Sequence, residues 1–429
     1  MYVADSRGAA GDEARDAKRP GPRVAAAVAP TVLVLGTVSL ITDVSSEMVT
    51  AVLPLYLVAG LGLSPLGFGL LDGVYNGFSA LVRLVGGHLA DRGGGRHKAV
   101  AAFGYGLSAV CKPALLLVHS LPLIGAVLAV DRTGKGLRTA PRDALISLSS
   151  APEARGRAFG VHRAMDTAGA LLGPLVAFLI LRQAADGYDA VFTVSFCVAA
   201  LGVLVLLLFV PGGRPRPAAG PEDPPVPAAP AAQPSLRASV ALLRRPDVRR
   251  LTICATLLGL STVSDSFVYL LLQHRLGVPD RWFALMPLGT AAAFLLLAIP
   301  LGRLADRLGR WRMFLAGHAA LLGAYALLLA HGPAYLVLLL HGAFYAATDG
   351  VLMAAASTAV PAELRGAGLA LIQTGQAAAR FAASLAFGAA WTAWGDRTAL
   401  TTATAALAVC AACAVWLRPA RPTRPGSAS

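Results

Sequence analysis

The chain has 429 residues, 56% of them hydrophobic and only 14% charged, with a mean hydropathy of +0.64. A soluble domain carries roughly a quarter charged residues, so a mostly water-facing protein is excluded and apolar runs of about 20 residues are required. The formal net charge of +14 invites a nucleic-acid partner, but the basic residues gather in alternate loops between apolar runs, so they report membrane topology and no nucleic-acid binding is expected.

Residues 1–23 are charged, carry Gly and Pro, and show no periodicity, which predicts a disordered cytoplasmic tail. They are too polar for a signal peptide, and the run after them is too long and carries acids. A first bundle over 24–211 contains runs near 31–59, 67–89, 98–119, 121–148, 157–182 and 189–211. Residues 212–247 are rich in Pro and Ala and read as a cytoplasmic linker. A second bundle over 248–417 contains runs near 249–275, 282–304, 311–331, 333–358, 366–392 and 398–417, and 418–429 form a second cytoplasmic tail. The expected fold is an all-α integral membrane protein: twelve transmembrane helices in two pseudo-symmetric six-helix bundles.

Orientation follows from the loops. Arg92, Arg96, Lys98, Arg155, Arg157, Arg244, Arg245, Arg249, Arg250, Arg303, Arg307, Arg310 and Arg312 lie on the side of both termini, against Arg182, Arg275, Arg281 and Arg397 on the other. Both termini are therefore expected in the cytoplasm, and the chain in the plasma membrane. Cys111, Cys197, Cys254, Cys410 and Cys413 all fall inside apolar runs. The CxxC spacing of the last two reads as small apolar filler on an Ala-rich helix rather than a redox or metal site.

Ionisable residues within the runs are costly in lipid and mark cavities or relays. Run one carries Asp43 and Glu47, four apart and on one face; run two carries Asp72 and Arg83, and run three Lys112. Run four is the densest, with Asp131, Arg132, Lys135, Arg138, Arg142 and Asp143. Asp131, Lys135, Arg138 and Arg142 form a single stripe, which must face a cavity or neighbouring acids. The GKG within it lacks the GxxxxGK[ST] spacing of a phosphate loop. Run five places His162, Asp166, Gly169 and Gly173 on one face, followed by Pro174. The second half is sparser: Asp265, Asp349, and Gln373, Gln376 and Arg380 on one face of run eleven. One reading makes Asp43, Glu47 and Asp72 structural counter-charges for Lys135, Arg138 and Arg142. The other makes the set a substrate and proton pathway, in which some pairs exchange partners.

GHLADR at Gly87–Arg92 recurs as GRLADR at Gly302–Arg307, each copy ending an apolar run and preceding a basic loop. PEARG at Pro152–Gly156 and PAELRG at Pro361–Gly366 repeat in the same way before runs five and eleven. Such internal duplication is expected of secondary transporters. Apart from tails and linker, the chain resembles the major facilitator superfamily, whose loop signature G-x-L-A-D-R-x-G-R is matched by Gly302, Leu304, Ala305, Asp306, Arg307, Gly309 and Arg310. The first copy matches at Gly87, Leu89, Ala90, Asp91 and Arg92, then departs with an extra glycine before Arg96. The resemblance implies that these loops couple the halves and bias a conformational equilibrium. Arg132 with Gly136 resembles an RxxxG element that the superfamily links to proton transfer. Gly169, Gly173 and Pro174 resemble the core of its antiporter signature, although Ala177 and Phe178 stand where further glycines belong. A small-residue packing seam explains the same three residues without any direction of transport.

The expected function is alternating-access secondary transport, with proton-coupled export of a small organic compound preferred over uptake or exchange of an anionic metabolite. The second would use the Lys135, Arg138 and Arg142 stripe. A non-transporting membrane receptor is the alternative from another class. No enzyme, cofactor or metal motif is present in the sequence, and a monomer is expected.

Overall fold

The computed structural model describes residues 29–76, 97–151, 154–184, 187–211, 241–349, 352, 360 and 365–416. Arg83, the first loop signature with Gly87, Asp91 and Arg92, most of the linker, both tails and the start of the second Pro-Ala-Glu motif lie outside them.

The described chain is helical. In chain order the helices are α1 (Pro30–Leu55), α2 (65–76), α3 (His97–Leu117), α4 (Leu121–Leu148), α5 (Arg155–Gln183) and α6 (Gly187–Phe209). The second half follows with α7 (Pro246–Leu260), α8 (Asp265–Leu276), the single turn α9 (Asp280–Phe283), α10 (Met286–Leu308), α11 (Arg310–Leu329), α12 (Ala334–Thr348) and α13 (Arg365–Trp416). α1, α4, α7 and α10 each carry proline in the first helical positions, where its fixed φ suits the helix and its missing N–H costs nothing. Among the described residues, eight helical stretches are long and apolar enough to cross a membrane. Leu201, Leu204, Leu208, Leu296, Ile299 and Trp416 are exposed on their outer surfaces, an apolar area far larger than a water-soluble monomer tolerates.

Three expected runs differ in detail. Run seven is not one helix: α7 ends at Leu260 and α8 restarts at Asp265, with 261–264 non-helical between them. A broken backbone at membrane depth must find internal partners. Here the Val263 N–H donates to the Tyr325 hydroxyl of α11, 2.8 Å away, and Asp265 stands in the first turn of α8, where the helix dipole favours an acid. Runs eleven and twelve are joined as α13, interrupted at Gly395, whose φ of +81° suits a residue without Cβ.

The duplication is visible in the packing. α1 packs on α5 and α3 on α4; in the second half α7 packs on α13 and α11 on α12. Glycines set the close seams. A Cβ on Gly169 would lie 2.5 Å from the Leu40 carbonyl oxygen, and one on Gly173 2.8 Å from that of Val44. Gly104 stands in the same way against Gly134 in the α3–α4 seam, and Gly317 against Thr348 and Ala347 in the α11–α12 seam. Small residues bring helices together where lipid gives no hydrophobic drive to associate.

Between the halves, contact is made on the side where α1 ends and α2 begins, opposite the termini. There Phe68 meets Phe267 at 4.9 Å between ring centroids and Phe178 meets Trp282 at 5.2 Å, while Phe267 also meets Phe387 of its own half at 4.9 Å. The Leu66 N–H donates to the Thr392 hydroxyl at 2.9 Å. A Cβ on Gly69 would lie 2.5 Å from the Ser384 carbonyl oxygen, and Gly388 is pressed on Pro65. This seam closes the far side of the molecule.

Candidate functional site

Beneath the closed seam, at the middle of the helices, lies a cavity of ≈ 400 Å³ between the two halves, within the ordinary range for small-molecule sites. The first half contributes Glu47, Thr50 and Pro54 from α1 and Tyr75 and Asn76 from α2. The second contributes the non-helical stretch 262–264, Asp265 and Tyr269 of α8, Thr290 and Phe294 of α10, Tyr345 of α12, then Asp349 and Arg380. Interrupted helices lining a midplane cavity are the usual way transporters present polar backbone to a solute.

The charges of α4 do not face this cavity. Arg138 pairs with Asp43 at 3.2 Å, Lys135 with Glu47 at 3.7 Å, and Arg142 with Asp143 at 3.1 Å and Asp166 at 3.6 Å. Arg142 also donates to the Ser39 hydroxyl at 3.2 Å, which itself lies 3.0 Å from His162. Asp131 holds two cations, Lys112 at 3.2 Å and Arg132 at 2.7 Å, and accepts from Ser108. Arg132 lies 3.8 Å over the ring of Tyr75, and Arg138 4.4 Å over Tyr105, so each guanidinium is held from its face as well as its edge. The stripe is thus answered by neighbouring acids.

One expected counter-charge is corrected. Asp72 does not meet a base of α4, because α2 turns it toward α13 on the other half. The Ser384 hydroxyl donates to its carboxylate, and the Asn76 amide donates to it at 3.2 Å. Arg142 takes Asp143 and Asp166 in its place.

In the second half, the Tyr345 hydroxyl donates to Asp265. The buried His341 brings Nε2 to 3.3 Å from the same carboxylate, while its Nδ1 lies 3.4 Å from the Thr290 hydroxyl. His341, Tyr345 and Tyr269 were not singled out from the sequence. The signal was the spacing His341, Tyr345, Asp349, four apart each time in an otherwise apolar run. Gln376 joins Asp349 and Arg380 around a smaller adjoining space of ≈ 70 Å³ beside His318; Gln373 lines neither. The structure therefore gathers Glu47, Asp265, Asp349 and Arg380 at one cavity; inside the first half it leaves Asp43, Asp131, Arg132 and Arg138 in buried pairs, Arg142 and Asp166 in a half-buried one, and His162 on the Ser39 hydroxyl.

The second loop signature ends α10. Asp306 and Arg307 are exposed, and Gly309, with φ +99°, makes the turn into Arg310 and α11; a side chain there would be strained. Gly302 has open space where a Cβ would stand. Gly169, Gly173 and Pro174 are buried in the α1–α5 seam, where close packing accounts for both glycines.

Two repeated helical halves around a cavity lined by charged residues from both are the arrangement of a secondary transporter. The family model of the Major Facilitator Superfamily matches residues 35–384 and again 251–429. The chain belongs to that superfamily, and membership makes it a multi-pass membrane transporter rather than an enzyme. An uncharacterised MFS-type transporter of Methanocaldococcus jannaschii is 29% identical over 372 residues, covering 84% of this chain and 88% of that protein. Among solved structures, the nucleoside transporter NupG superposes with a TM-score of 0.77 at 14% identity, over 91% of this chain and 100% of that one. A bacterial homologue of the human lysosomal transporter Spinster, in an inward-facing and unoccupied conformation, gives a TM-score of 0.72 at 15% identity, over 90% and 96%. These two likenesses show the fold.

Proposed function

We propose that the chain is a monomeric, twelve-span transporter of the plasma membrane that exports a small organic compound in exchange for protons, by rocking its two halves about the central cavity. With both termini cytoplasmic, as the loop charges require, the closed seam faces outward and the cavity is served from the cytoplasm. The observation that carries the reading is the cavity itself: ionisable groups from both halves meet at the midplane beneath a seam that only rigid-body separation can open. The loop signatures around Asp91 and Asp306 act as the gates of that motion, and the export direction rests on the resemblance of Gly169, Gly173 and Pro174 to the antiporter signature alone.

The proton site is Asp265 with His341. Asp43 and Glu47 are already matched by Arg138 and Lys135, whereas Asp265 sits on the cavity wall with the His341 Nε2 3.3 Å away. An anionic cargo loses its sequence-level support, since Lys135, Arg138 and Arg142 all stand against acids. The test is flux of a substrate panel in proteoliposomes with and without an imposed pH gradient. A transported solute should move at least tenfold faster with the gradient, and Asp265→Asn should abolish that gain while downhill exchange persists. Equal flux in both conditions would sink the proton coupling, and an Asp265→Asn variant that keeps the full gain would remove Asp265 from it.

A further inference from the structure

We infer that the smaller space beside His318, taken as one end of the transport site proposed above, reads an uncharged hydroxyl on the cargo. The space holds ≈ 70 Å³ and continues the central cavity, since Thr262, Tyr345, Asp349 and Arg380 line both. At roughly 30 Å³ per liquid water, it suits the tip of a solute rather than its body.

His318 is the residue that points to a hydroxyl. It is 3% exposed, and its ring is held edge-on by Phe314 at 4.6 Å and Phe344 at 5.3 Å between centroids. Nδ1 lies 2.8 Å from the Phe314 carbonyl oxygen of its own helix. A nitrogen against a carbonyl carries the hydrogen, so in the neutral ring Nε2 is left as an acceptor. That nitrogen has no hydrogen-bond partner among the described residues, and the ring that bears it lines the space. A buried acceptor without a donor is costly, and a donor entering the space removes that cost. Gln376 of α13 lines the same space and brings an amide that donates as well as accepts. A hydroxyl fits the two: its hydrogen goes to His318 Nε2, and its oxygen accepts from the Gln376 amide. A methyl group in its place satisfies neither. A carboxylate brings no hydrogen for Nε2, and an ammonium gives up its hydration among Ala255, Phe314, Phe344 and Leu352.

N-acetyltyrosinamide and N-acetylphenylalaninamide are both neutral and differ by one hydroxyl, and their equilibrium binding to the purified full chain tests the inference. The tyrosine compound should bind saturably and at least tenfold tighter, because a site that hydrogen-bonds a hydroxyl rejects the analogue lacking it. His318→Phe and Gln376→Leu, each checked by thermal melting, should bring the tyrosine compound down toward its partner and leave the partner's affinity unchanged. A general loss of structure weakens both compounds together, so the difference between them reports the hydroxyl contact. Equal binding overturns the inference, and so does failure of both to bind or a preference that survives both substitutions. If the proteoliposome panel still shows flux of other solutes in that case, the transporter reading stands and the hydroxyl site alone fails. A tenfold preference with no flux for any solute keeps the site and defeats the transporter reading.

Discussion

Replacing Asp131 by asparagine is expected to destabilise the folded protein by about 3–5 kcal/mol, the usual cost of stripping a buried cation of its counter-charge. One carboxylate here serves two cations, Lys112 and Arg132, whose side chains are 5% and 8% exposed. Ser108 and Lys112 lie on α3 while Asp131 and Arg132 lie on α4, so this carboxylate also ties two helices together. Once Asp131 is neutral, Lys112 retains the Ser108 carbonyl at 2.9 Å and the Ser108 hydroxyl at 3.3 Å, and Arg132 retains the ring of Tyr75. Adding Lys112→Met to Asp131→Asn should recover a large part of the loss, because one of the two orphaned cations is then gone. Thermal melting of the single and double variants in detergent measures both effects. The contrast is Lys135→Met: its partner Glu47 is 3.7 Å away, and the two side chains are 37% and 28% exposed, so about 1 kcal/mol or less is expected. Equal losses for Asp131→Asn and Lys135→Met would show that burial does not rank these pairs.

Gly388→Val is expected to disfavour the closed seam rather than the fold. A Cβ at Gly388 runs into the Pro65 carbonyl and lies 3.2 Å from the Cα of Gly69. Both neighbours are backbone and cannot rotate away. Overpacking of this kind costs about 1–3 kcal/mol, which moves a two-state equilibrium by about 5- to 150-fold. The added side chain meets nothing once the halves separate at that end, so melting should stay near that of the unmodified protein. Labelling of a Ser384→Cys reporter, at a position buried in the seam, by a membrane-impermeant maleimide should accelerate by about the same factor. An unchanged labelling rate would mean that this seam does not open.

Much of the fold was legible because lipid enforces it. Apolar runs must be helices of sufficient length, and the repeated GxLADR motif marks the two halves before any contact is known. The breaks were less legible. Nothing in the LSTVSD stretch from Leu260 to Asp265 carries Gly or Pro; the interruption depends on Tyr325, 62 residues away, accepting the Val263 N–H. The ion pairs were legible in part. Asp43 and Glu47 share a face and meet bases of α4, but the direction of Asp72 depends on how α2 is rotated between two halves, which periodicity does not specify. His341 and Tyr345 looked like ordinary residues of an apolar helix, and they become informative once α12 is set against Asp265. The loop signature is best explained where it can be seen, at Gly309, whose backbone conformation excludes a side chain.

Alternating access through the seam opposite the termini is the central claim, and cross-linking that seam tests it most directly. Leu66 and Thr392 are both exposed and joined by a 2.9 Å hydrogen bond across the halves. In a background with the five native cysteines replaced, Leu66→Cys/Thr392→Cys should cross-link readily with a short bifunctional thiol reagent carrying disulfide linkages. Substrate flux in proteoliposomes should then fall at least tenfold and return on reduction. Full cross-linking with undiminished flux would contradict the account.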